Sequence, residues 1–89
     1  MIQEELYTKK SEIRIGGVYS NGKGRIRRVI DMGPQYVLYH GQICSENLRY
    51  EIVCDGSKEN SAAGEQHNMT LTRFASWCKE EVHKHPDFC

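Results

Sequence analysis

The chain lacks a long hydrophobic run, lacks net charge and lacks closely paired cysteines. No apolar stretch among its 89 residues approaches the roughly 20 needed to cross a membrane as a helix, so no membrane role is expected. Twelve basic residues balance twelve acidic ones, and the strongly basic surface of a general nucleic-acid binder is therefore absent. The N-terminal MIQEELYTKK is polar, carries two early glutamates and has no apolar secretory core, which predicts an intact cytoplasmic protein. Four cysteines stand at positions 44, 54, 78 and 89, none in the C-x-x-C spacing that pre-orders two zinc ligands on one turn. In a reducing compartment they are expected to be free thiols. The glycines from Gly16 to Gly24 lack the closing G-K-[ST] of a phosphate loop and do not open a helix. No acid–base set is assembled, so the expectation is a non-enzymatic protein with no catalytic residues, no metal and no cofactor.

What the sequence does hold is a series of short apolar runs separated by turn signals. Ile13 and Ile15 flank Arg14 as in a half-buried strand, and Val18-Tyr19 begins the first core strand. Asn21-Gly22 is the strongest hairpin signal, because both residues tolerate positive φ. A second strand spans 25–32. There, Ile26 is separated from Val29 and Ile30 by two arginines, and a β-bulge near Arg27-Arg28 would let both apolar ends face the core. Gly33-Pro34 stops that strand. Residues 35–40 are predicted as a third, with Tyr36 and Leu38 on one face and Val37 and Tyr39 on the other. A fourth, 47–54, has the cleanest period of two, with Leu48, Tyr50, Ile52 and Cys54 alternating. Residues 55–68 hold no large apolar side chain and are expected as a long exposed loop.

A helix is predicted from about Leu71 to His83, with Thr70 as N-cap and an apolar stripe of Leu71, Phe74, Ala75, Cys78 and Val82. Strands that curl to hide their edges and a helix that plugs the open side make a mainly β fold. The expected form is a small SH3-like, partly open barrel of four to five antiparallel strands with one C-terminal α-helix. Its divisions are an N-terminal extension (1–12), the barrel plus helix (13–83, with loop 55–68 exposed) and a C-terminal tail (84–89).

The order G-G-V-Y-S-N-G, R-R-V-I-D-M-G-P, Y-V-L-Y, L-R-Y-E-I and M-T-L-T-R-F-A-S-W resembles small uncharacterised proteins of phages and prophages. The resemblance spans roughly residues 13–82. It implies an SH3-like barrel and a non-enzymatic role on a mobile element, and it carries over no site residues.

Charge is unevenly spread. Residues 1–28 hold seven basic and three acidic side chains, a balance of +4, and the remainder is correspondingly −4. Lys23, Arg25, Arg27 and Arg28 fall on one hairpin, with Tyr19, Tyr36 and Tyr39 on neighbouring predicted strands. Small barrels bind single strands by stacking bases on aromatics beside a basic groove, and Lys23, Arg25, Arg27, Arg28, Tyr19 and Tyr39 are the candidates for that alternative. The leading expectation is a protein partner met at the surface, since a barrel this small leaves no enclosed interior for chemistry. On the phage resemblance, the partner would be a host defence or nuclease component that the protein inhibits. A monomer or a homodimer is compatible with the sequence. His83, His85 and Cys89, with Cys78 upstream, form the densest group of metal-ligand residue types, but the paired spacing is missing.

Overall fold

A computed structural model of the chain describes residues 9–43 and 46–83. Five antiparallel strands form one sheet: β1 (Val18–Ser20), β2 (Arg25–Met32), β3 (Asn47–Asp55), β4 (Gln66–Thr70) and β5 (Glu80–Glu81). A short helix, α1 (Leu71–Trp77), lies between β4 and β5. The sheet order β4-β3-β2-β1-β5 is a four-strand meander whose last strand returns to the free edge of β1. β4 and β5 do not pair with each other, so the barrel is partly open, and α1 occupies the chain between its two edges. No helix among the described residues is long and apolar enough to cross a membrane.

The core explains why this order forms. Tyr19, Val29, Leu48, Tyr50, Phe74, Ala75 and Cys78 are buried together with Ile13. Phe74 has no exposed surface and meets the Tyr19 ring edge-on at 5.6 Å, with Tyr50 at 6.0 Å and Trp77 at 5.3 Å. Full burial of a side chain such as Val29, Leu48 or Phe74 contributes about 1.5–3 kcal/mol. Tyr19 is also tied at its hydroxyl, which donates to the Glu12 carbonyl at 2.9 Å and accepts from the Arg14 amide at 3.0 Å. Its ring lies so close to Gly17 that a Cβ there would sit 2.3 Å from the hydroxyl oxygen, which reserves the position for glycine.

The expected bulge is present as two register breaks. Pairing of β2 with β3 skips Val53 between Ile26 and Arg27, and skips Ile30 between Val29 and Asp31. Ile26 and Val29 are both buried as a result, while Arg28 stays exposed. The β1–β2 connection closes through Asn21, whose side-chain oxygen accepts from the amides of Lys23 and Arg25.

Several boundaries differ from the sequence expectation. Residues 35–40 are not a strand: β2 already pairs with β1 and β3, and the segment folds into turns instead. Ile13 and Ile15 are not a strand either; Ile13 is buried and Ile15 is 56% exposed. The expected long loop is cut short by β4, a polar stretch that pairs with β3 from Asn47↔Thr70 to Glu51↔Gln66. The helix keeps its Thr70 cap, which accepts from the Arg73 amide at 3.1 Å, but ends at Trp77. Beyond it, Lys79 and Val82 donate to the Ser20 and Val18 carbonyls, so pairing with β1 replaces the last helical turns. The end of the N-terminal extension is docked as a 3-10 turn, Lys10–Glu12. Residues 1–8 of that extension and the tail 84–89 lie outside the described residues.

Candidate functional site

Two surfaces merit attention, and the most distinctive is the turn-rich loop from Gly33 to Ile43. Polar groups hold it to the sheet. The Tyr36 hydroxyl donates to the Asp31 carboxylate at 2.5 Å, which pulls that carboxyl below its ordinary value and pushes the phenol up. The Gln42 amide exchanges two hydrogen bonds with Asn47 at 3.0 and 3.2 Å and also accepts from the Leu38 amide. Asn47 is only 1% exposed, so this exchange satisfies an otherwise costly buried amide. Asn68 on β4 donates to the Val37 carbonyl at 2.9 Å. The turn ending at Gln42 uses Gly41 at φ 87°, a left-handed conformation.

Tyr36 and Gln42 turn toward the sheet, Gln35 and His40 face water, and the loop's apolar side chains are exposed as well. Val37 is 47% exposed, Leu38 42%, Tyr39 63% and Ile43 95%. Single exposed apolar side chains are ordinary, but four large ones on one loop tethered to the sheet are the composition of an interaction surface.

The second surface is the basic hairpin. The structure does not gather the six candidates into one groove, although Arg25 and Arg27 line a common cleft. Tyr19 is fully buried and has no ring face to offer a base. Arg28 is ion-paired with Glu51 across the β2–β3 ladder. Arg27 is half-buried, its guanidinium 4.4 Å from the centre of the Tyr50 ring and 4.2 Å from that of Trp77. Its Nη1 lies 3.8 Å from the Met69 sulfur. Burial lowers its pKa, with Arg25 adding to the effect and Tyr50 opposing it. Lys23 and Arg25 are exposed at the hairpin end of β2, whereas Tyr39 follows the other end. The eight residues of β2 separate those ends by about 23 Å at about 3.3 Å per step, so they form no continuous stacking groove.

Between the start of β2, the end of β3 and the loop that follows it lies a cleft of about 400 Å³, lined among others by Arg25, Arg27, Asp55, Ser57 and Ser61. The loop is built by its own side chains. Asp55 accepts from the Ser57 amide and hydroxyl and from the Ala62 amide, and the Ser57 hydroxyl leads the effects that hold this carboxyl below its ordinary value. Asn60, at φ 53°, accepts from the Asp55 amide and donates to the Val53 carbonyl. Residues 56–65 of the stretch expected as an exposed loop are mostly exposed, and these bonds fold them into turns. A second cleft, of about 430 Å³, lies beside β5 and is lined by Ser20, Ile26, Glu80, Glu81, Val82 and His83, among others.

Cys54 is disulfide-bonded, against the expectation of free thiols throughout. Cys78 is buried, with its Sγ 3.6 Å from the Glu80 carbonyl oxygen. Among the described residues no group of three or more His, Cys, Asp or Glu is placed to hold a metal. His85 and Cys89 of the sequence grouping, and Cys44, fall outside the described residues. Comparison with protein-family models, curated proteins and solved structures found no match to this chain.

Proposed function

We propose that the protein is a small non-enzymatic binding module that docks on a protein partner through the loop 33–43. The observation that carries this reading is the tethered loop: Asp31, Gln42, Asn47 and Asn68 hold it to the sheet while Val37, Leu38, Tyr39 and Ile43 face water. A patch held in place before contact loses less conformational freedom on binding. Tyrosine among aliphatic neighbours is the composition of an interface anchor. The sequence likeness to small phage proteins supports a host protein as the partner, with inhibition as the consequence of docking.

The alternative, single-strand binding by the hairpin, has weaker support. Tyr19, Arg27 and Arg28 are engaged within the fold, leaving Lys23 and Arg25 exposed without an aromatic platform among the six candidates. Affinity capture with the whole chain from host lysate tests the choice. A partner retained by the parent, lost with Leu38→Asp plus Tyr39→Asp and kept with Lys23→Glu supports the proposal. Loss confined to Lys23→Glu would transfer the function to the hairpin.

A further inference from the structure

We propose that the cleft between β2, β3 and the 56–65 loop is an anion site that takes a phosphate monoester through Arg25 and Arg27. This is separate from the apolar loop and does not depend on its role. Arg27 is the central observation. The residue is half-buried, and its guanidinium lies against two aromatic faces and a thioether sulfur, none of which bears a full negative charge. Among the described residues neither Arg27 nor Arg25 is ion-paired, although Arg14, Arg28 and Lys10 all are. A guanidinium stays protonated at any physiological pH, so burial cannot be relieved by losing the proton. An anion from outside satisfies it.

The rest of the cleft suits that ligand. Arg25 and Arg27 alternate along β2 and both line the cavity. Asp55 is the carboxylate in the lining, but both of its oxygens are occupied by donors of its own loop. Two cations against one committed anion leave the lining net positive. The folded loop also places Ser61 on the wall, a hydroxyl available as donor. About 400 Å³ is within the range of small-molecule sites and accommodates a phosphate with an organic substituent. Arginine pairs bind such groups through charge-assisted, often bidentate hydrogen bonds, and a dianion gains more from two guanidinium groups than a monoanion does.

The test is an amide and arginine side-chain NMR titration of the full chain at constant ionic strength. Phenyl phosphate is the probe, with inorganic phosphate, dimethyl phosphate, acetate and a short single-stranded oligonucleotide as separate arms. Saturable shifts at Ser57–Ala62 and at the Arg27 Nε–H with phenyl phosphate are expected, stronger than with dimethyl phosphate or acetate. Arg25→Gln, an exposed substitution, and Arg27→Met, which keeps an apolar stem against Tyr50 and Trp77, should each weaken binding roughly ten- to hundredfold. Arg28→Met should leave it unchanged. Absence of saturation, equal weakening by Arg28→Met, or tighter binding of the oligonucleotide than of the monoester would each overturn the assignment.

Discussion

Replacing Phe74 with alanine separates the core from the display loop more sharply than any other single change. Phe74 has no exposed surface and its ring meets those of Tyr19, Tyr50 and Trp77. Truncating a buried phenylalanine costs about 3–5 kcal/mol, because the transfer energy is lost and a cavity remains. Aromatic pairs of this kind add about 0.5–1.5 kcal/mol each beyond area burial, which places the expected loss toward the upper end. Domains have about 0.05–0.15 kcal/mol of stability per residue, so this 89-residue chain has about 4–13 kcal/mol in all. One kcal/mol moves Tm by about 4–8 °C at this size, so the variant should melt at least about 12 °C lower. Tyr39→Ala makes the contrast. The side chain is 63% exposed, and a surface substitution of this kind stays within about 0.5 kcal/mol. Urea unfolding followed by far-UV circular dichroism gives both values, with the single tryptophan, Trp77, as a second probe of the same core. A loss below about 1 kcal/mol for Phe74→Ala, or a loss at Tyr39→Ala comparable to that at Phe74, would refute the division between core and displayed residues.

Tyr19→Phe keeps the ring but strands the Glu12 carbonyl and the Arg14 amide, and should cost about 1–3 kcal/mol in the same urea assay. Lowering pH should loosen two loops before the sheet. Asp31 is held below its ordinary value first by the Tyr36 hydroxyl, and Asp55 first by the Ser57 hydroxyl. A depressed carboxylate stabilises the fold above its unfolded value of about 3.9 and loses that contribution as pH falls through the folded value. Hydrogen-exchange protection at Ser57 and Ala62, and at Tyr36 in the loop that Asp31 tethers, should fall below about pH 4 before that of β2 and β3; simultaneous loss would contradict this. Gly17→Ala should destabilise strongly, as an added Cβ would lie within 2.6 Å of three Tyr19 ring and hydroxyl atoms, and a neutral result in thermal melts would remove that contact from the account.

The parts of the fold readable from sequence were those fixed locally. Alternation over 47–54, the two arginines that interrupt β2, the Asn21-Gly22 hairpin and the Thr70 cap all carry short-range signals, and each appears in place. What was not legible depended on partners distant in sequence. Gln66–Thr70 has little strand propensity and becomes a strand because the outer side of β3 is open to it. Glu80–Glu81 leave the helix predicted over 71–83 because the edge of β1 accepts their backbone. The segment 35–40 alternates well but has no strand to pair with, and Tyr36, Gln42 and Asn47 fold it into turns. The same limit applied to function. Sequence placed the basic residues on one hairpin, but stacking of Arg27, pairing of Arg28 and burial of Tyr19 needed Tyr50, Trp77, Glu51 and Phe74 brought from elsewhere.

Site-specific photo-crosslinking in cells that express the protein tests most directly whether it works through an ordered apolar display. A crosslinking side chain at position 39 should trap one discrete protein adduct, while the same group at exposed Lys58 on the far loop should trap none. Adducts at position 58 but not 39, or a position-23 variant that crosslinks nucleic acid while position 39 remains silent, would contradict it.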